Sequence, residues 1–167
     1  MHKRIPLLVL LSLICLPLRA DASGKKEVKF SITFHSQTDG MDNPKMIFPQ
    51  TVNGRNLFFR RVPEIGSKDI QSFAPFPADD GQYGLVLQLK PTAANRIFAV
   101  TTANQGQWLL ALVNGRVADA VIVDKPINDG RLVIWKRVTL EDIALLDKEL
   151  PRTGEAKPQK KKSFFSN

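Results

Sequence analysis

The stretch LALVNGRVADAVI, Leu110 to Ile122, decides the fold. Two apolar, β-rich runs flank Asn114-Gly115, and both central positions of a type I′ turn need positive φ, which Asn and Gly adopt most easily. The segment therefore predicts a hairpin with arms Trp108 to Val113 and Arg116 to Val123. Asn114 and Gly115 are architectural in this reading.

Outward from the hairpin, YGLVLQL (Tyr83 to Leu89) reads as a strand. In KPTAANRIFAVTTANQG, Pro91 suits a first helical turn, Ala94, Ile97, Phe98 and Thr101 share a face, and Gly106 fits the stop. Asp129-Gly130 turns the chain into the strand LVIW, Leu132 to Trp135. Thr139 with Asp142 resembles a capping box, with Asp where Glu is usual, and opens the helix LEDIALLDKEL, in which Leu140, Ile143, Ala144, Leu146 and Leu150 include one apolar face and which Pro151 ends.

Upstream, EVKFSITF (Glu27 to Phe34) alternates like a half-buried strand, and HSQTDGMDNPK is a loop. A second Asn-Gly turn, Val52 to Arg55, joins MIFPQ to NLFFRRV, although Pro49 cannot donate to a central ladder. Ser67 to Phe73 reads as one helical turn capped by Ser67, and FAPFPADDGQ as a linker. These elements define the α+β class: a largely antiparallel sheet with two main helices on one face.

The N-terminus carries Lys3 and Arg4, an apolar run from Ile5 to Leu18, and Ala20-Asp21-Ala22, the pattern of a secretory signal peptide cleaved after Ala22. The expected location is periplasmic or extracellular. Cys15 belongs to the apolar run, and Ile14 before it is too large for a lipoprotein signal. Cleavage leaves 145 residues without cysteine, so the exported protein relies on packing rather than disulfides. The organisation is residues 1–22 signal peptide, 23–82 N-terminal strands and linker, 83–151 the α+β domain, and 152–167 a basic disordered tail.

Of the net charge of +8, the leader holds +2 (Lys3, Arg4 and Arg19 against Asp21) and the tail +4 (Arg152, Lys157, Lys160, Lys161 and Lys162 against Glu155). The folded middle keeps +2, so a high pI does not describe a basic binding face. Nucleic acid is accordingly not an expected partner.

Catalytic chemistry finds no foothold. After cleavage His35 is the only histidine and is expected at the surface or capping a loop; neither G-x-S-x-G nor S-x-x-K occurs, and no phosphate-cradling glycine loop is present. Asp79-Asp80 reads as turn chemistry, and Glu141-Asp142 as charge at a helix start. Asp39, Asp42 and Asn43 lack EF-hand spacing. Asp119, Asp124 and Arg131 would suggest an enzyme only if the fold gathered them in a cleft. No catalytic residue, cofactor or metal ligand is assigned.

From Tyr83 to Leu150 the motif order resembles the head part of the first periplasmic domain of SecD, a subunit of the bacterial preprotein translocase. In that family a strand runs into a T-P-E-G-A helix opening, then come a strand, an L-D-G-K hairpin, an S-A-P stretch, a G-G turn and an I-T-G-x-F-T helix start. Pro91 and Ala94 match the opening, Val113 to Arg116 replaces the hairpin, and Ala120 remains of S-A-P. Ile127, Gly130, Ile134, Val138 and Thr139 come next at family spacing, with support upstream from Lys68 to Ile70. Ala93, Val121 and Lys136 depart from it.

The resemblance implies a protein partner: a secretory client, the translocon or an envelope protein. It does not imply energy coupling, because no spanning segment succeeds the leader. An exposed edge strand would give an extended peptide a place to add. The alternative role is an envelope structural protein held at an anionic surface by Lys160, Lys161 and Lys162 beside Phe164 and Phe165, each base contributing about 1 kcal/mol of salt-sensitive attraction. Oligomeric state is left open.

Overall fold

The computed structural model describes residues 30–79 and 81–155; residues 1–29, Asp80 and residues 156–167, with Lys160, Lys161 and Lys162, lie outside the described residues, whereas residues 152–155 of the expected tail are fixed by bonds of Thr153 to Phe73 and of Arg152 to Asp147. The elements run β1 (Ile32–Thr38), β2 (Ile47–Val52), β3 (Arg55–Arg60), β4 (Ile65–Gly66), a 3-10 turn (Ser67–Asp69), β5 (Ile70–Pro77) and β6 (Tyr83–Leu89). They continue with α1 (Pro91–Ala103), β7 (Trp108–Val113), β8 (Arg116–Ile122), β9 (Arg131–Val138) and α2 (Leu140–Glu149). The class is α+β. The strands pair antiparallel in two sheets, one in the order β2-β3-β1-β7-β8 with β4 also on β1, the other β5-β6-β9.

The main core lies between the sheets and the helices. Ile32, Phe34, Leu109 and Ala111 from the first sheet meet Leu85, Leu87, Leu132 and Ile134 from the second, with Ala93 and Ile97 of α1 and Ile143 and Leu146 of α2 closing over them. The first sheet also curls, so that Val52 and Phe59 of the β2–β3 hairpin cover Leu110 on the opposite face of β7. Strands β1 and β7 are thus covered on both sides.

Both Asn-Gly pairs form the expected turns, with φ of 49° and 76° at Asn53-Gly54 and at Asn114-Gly115. Pro49 is accommodated because β2 ends its sheet.

The structure corrects several sequence expectations. FAPFP is strand β5 rather than linker; β5 pairs only β6 in its sheet, and an edge strand tolerates Pro75 and Pro77 without their N–H groups. The turn before it is capped by Gly66, whose N–H donates to Asp69 Oδ2 at 2.9 Å, whereas Ser67 Oγ accepts from Ile32 N at 2.7 Å.

Among the described residues the first strand runs from Ile32, with Glu27 to Lys29 of the expected strand lying outside them, and it continues past Phe34 because His35 and Ser36 are buried with hydrogen-bond partners. His35 is therefore neither a surface residue nor in a loop. Its Nδ1 lies 2.8 Å from the Arg60 carbonyl, its Nε2 lies 2.9 Å from Thr33 Oγ1, and Phe48 packs edge-on at 5.2 Å. On α1 the buried stripe is Ala93, Ile97 and Thr101, which leaves Phe98 exposed; on α2, Leu140 and Ala144 face solvent.

Burial holds the His35 pKa below its ordinary value, outweighing the Arg60 carbonyl and the Glu64 charge, which both favour the cation. A depressed histidine is protonated more readily in the unfolded chain, so stability is lost as pH falls from about 6.5 through the folded value. The midpoint of urea unfolding should therefore decline between about pH 7.5 and 5.5 in the wild type. His35→Gln should flatten that slope; an unchanged slope would exclude His35 as its source.

Candidate functional site

Strands β8 and β9 are the facing edges of the two sheets, and no ladder joins them. Val123 N donates to Gln107 O at 2.9 Å and Val123 O accepts from Gly106 N at 2.8 Å, so Val121 and Val123 turn their backbone groups toward β7. By strand alternation Ala120 and Ile122 turn theirs into the gap. On β9, Gly130 O accepts from Leu89 N at 2.9 Å, so Leu132 and Ile134 bond toward β6 while Val133 and Trp135 face the gap.

One carboxylate bridges the two edges. Asp119 Oδ2 accepts from Trp135 N at 2.8 Å and Oδ1 from Ala120 N at 2.9 Å, satisfying one gap-facing donor on each strand. A bulge in β8 at this point, between Ala111 and Leu112 of the partner strand, breaks the regular ladder beside it. Beyond Asp119 the strands part around an open cleft of about 540 Å³ lined by Phe34, Leu109 and Leu132. Ile122 and Trp135 stand at its mouth, 51% and 58% exposed. Asp124, Lys125, Asp129 and Arg131 bring both signs of charge to its lining.

The residues singled out in the sequence separate into two groups. Asn114, Gly115 and Thr139 meet at a junction centred on Asp142. Asp142 Oδ1 accepts from Asn114 Nδ2 at 2.7 Å, and Oδ2 accepts from Arg116 at 2.7 Å and from Thr139 N at 3.0 Å. Thr139 Oγ1 accepts from Asp142 N at 3.2 Å, completing the capping box, and Asn114 Oδ1 accepts from Ser31 N at 2.9 Å. This carboxylate ties the β7–β8 turn, the start of α2 and the approach to β1.

Asp129 and Gly130 lie at the other end of β9, beside the cleft. Asp129 Oδ1 accepts from Arg131 N at 3.0 Å, and Gly130, at φ 66°, sits where a Cβ would come within 2.8 Å of Ala94 on α1. The three Gly-Arg turns do different work: Arg55 is exposed, Arg116 is paired with Asp142, and Arg131 lines the cleft.

Of the conditional trio, Asp124 and Arg131 share the cleft, while Asp119 is committed to the two backbone donors and lines a separate recess with Lys136 and Arg137. Asp39 and Asn43 accept from Met41 N and Lys45 N at 3.0 Å, as turn residues do. Among the described residues no group of three or more His, Cys, Asp and Glu side chains could hold a metal ion, and no helix is long and apolar enough to cross a membrane. The sequence did not mark Phe34, Leu109, Ile122 or Val133 as site residues. The one available signal was Asp119, a lone acid inside an apolar strand.

Two antiparallel sheets with a pair of helices on their shared core form a SecD-like fold. The chain is similar to the structure of SecDF described as a membrane component that enhances protein export, with a TM-score of 0.52 and 21% identity over 71% of this chain and 61% of that one. It matches SecDF in the super-membrane-facing form with the same TM-score and 20% identity, over 71% of this chain and 18% of that one. The chain thus spans less than two thirds of either. No protein-family model and no curated protein matches it.

Proposed function

We propose that this protein is a non-enzymatic, exported module that binds extended polypeptide in the β8–β9 cleft, as an accessory to protein export. The observation that carries the reading is the seam itself: two strand edges with gap-facing backbone groups at Ile122 and Val133, standing over an apolar floor. An extended chain entering there adds as a strand, its backbone satisfied by β8 or β9 and alternate side chains received by Phe34, Leu109 and Leu132. Main-chain recognition of this kind tolerates many sequences, which suits a client set defined by being unfolded. Likeness to the structure of SecDF, a membrane component described as enhancing protein export, supports the choice of client.

In-cell photo-crosslinking tests the proposal, with the crosslinker at Ile122 or Val133 and a control at exposed Arg55 on the distant β2–β3 hairpin. Enrichment of unfolded secretory chains or translocon subunits at the two cleft positions, absent at Arg55, is the expected result. Equal capture at all three positions, or capture of one folded envelope protein alone, would assign the module a scaffold role instead.

A further inference from the structure

Besides the two-residue β4, the sheets end in β2 and β8 on one side and in β5 and β9 on the other. On β2, Arg61 N donates to Met46 O at 2.7 Å, so by register Phe48, Gln50 and Val52 bond toward β3, while Ile47, Pro49 and Thr51 turn their backbone groups outward. Pro49 therefore withholds a donor from the middle of this outer edge. The outward carbonyls on either side of it are engaged by side chains: Ile47 O accepts from Arg61 Nη2 at 2.9 Å and Thr51 O from Gln50 Nε2 at 3.4 Å.

The outer edge of β5 is closed in the same way. Ala78 N donates to Gln82 O at 3.0 Å, which sets Ala74 and Phe76 toward β6 and turns Phe73, Pro75 and Pro77 outward. Phe73 N donates to Pro151 O at 3.2 Å and Phe73 O accepts from Thr153 N at 2.8 Å, and prolines hold the next two outward positions. Among the described residues this edge thus keeps no open N–H from Phe73 to Pro77. On the short β4, Gly66 N is taken by Asp69 Oδ2 at 2.9 Å. Tolerance alone requires only that a strand proline face outward; here side chains and residues 151–153 also engage the outward groups beside the prolines. Strands β8 and β9 contain no proline, and their Ile122 and Val133 backbone groups face the seam.

We infer that Pro49, Pro75 and Pro77 are specificity-determining residues, which close the outer edges to strand addition and leave the β8–β9 seam as the place where an extended chain adds. An added strand is held by outward donors and acceptors that recur every second residue. On β2 the N–H groups of Ile47 and Thr51 stand about 14 Å apart with none between them, and on β5 three successive outward positions offer none. The chains turned away are extended polypeptides and the matching edges of a second copy. The seam half of this inference rests on the reading of the cleft as a strand-addition site; the closure of the outer edges rests on the ladders alone.

Restoring the missing donors tests this in the full chain. Pro49→Thr returns one N–H to the outer edge of β2, and Pro75→Thr with Pro77→Thr returns two to β5; neither change removes a native backbone bond. The probe is a heptapeptide of alternating threonine and valine, blocked at both ends, followed by isothermal titration, with sedimentation velocity reporting self-association. Each opened edge should take up one more equivalent of peptide than the wild type, or add a concentration-dependent rise in sedimentation coefficient where a second copy fills it. Opening the two edges in separate variants keeps the test valid if one of them fails to fold. Folded variants that bind peptide and sediment like the wild type would overturn the inference. Uptake by the variants but none by the wild type would uphold the closure of the outer edges and overturn the reading of the cleft.

Discussion

Replacing Asp142 with alanine is expected to destabilise the protein by about 3 kcal/mol, one of the two largest losses anticipated for a single side chain. Asp142 is only 4% exposed, and its carboxylate accepts from Asn114, Arg116 and Thr139. Its removal leaves the half-buried Asn114 amide without its acceptor, deprives Arg116 of its ion pair and undoes half of the capping box, which alone contributes about 1 kcal/mol. Arg116 keeps access to water, so the loss stays short of that for a fully buried ion pair. Urea denaturation checks the value. Asp142→Asn should lose less, because one amide oxygen still accepts. Asn114→Ala combined with Asp142→Ala should be clearly less than additive.

The same carboxylate gives an acid limb. Burial raises the Asp142 pKa, but hydrogen bonds from Thr139 and Arg116 and the arginine charge outweigh it, so the folded value lies below the ordinary one. Stability from a depressed carboxylate is fully present above the unfolded pKa of about 3.9 and is lost as pH falls through the folded value. Asp69 behaves alike: burial pushes it up, and the Gly66 N–H and Arg96, 2.7 Å away, hold it down. Acid unfolding below about pH 4 should therefore be shallower in Asp142→Asn, with Asp69 supplying part of the remaining slope.

How much of this was legible in the sequence depended on whether the signal was local. The two Asn-Gly hairpins and the Thr139 capping box were readable because each is dictated within four residues. Strand β5 reads as a linker because Pro75 and Pro77 forbid a central ladder, and only the tertiary pairing reveals that β5 is an edge. The wrong placement of His35 has the same origin: its partners are Thr33, Arg60 and Phe48, two of them far along the chain. Asn114 and Thr139 were each recognisable, but not their meeting through Asp142, which depends on how β8 approaches α2. The cleft was the least legible part, since a gap between strands is defined by a ladder that fails to form.

Gly84→Val should match or approach the Asp142 loss, at about 3 kcal/mol or a fall in Tm of roughly 6–12 °C, for a steric reason. A Cβ on Gly84 would lie 2.2 Å from Phe76 Cζ, 2.5 Å from Phe76 Cε2 and 2.7 Å from the Ile134 carbonyl oxygen. The aromatic ring can rotate away, whereas the carbonyl belongs to β9 and is held beside a bulge that absorbs two extra residues between Ile134 and Val138. Phe76→Ala should thus rescue Gly84→Ala only in part, leaving the backbone contact uncorrected. Full rescue would mean that the ring alone excludes a side chain at position 84. No destabilisation in Gly84→Val would mean that β6 and β9 can separate at this point. Because the displaced ring is the partner of Trp135, the partial-rescue series also moves the tryptophan emission, linking the stability of the second sheet to the surface at the mouth of the cleft.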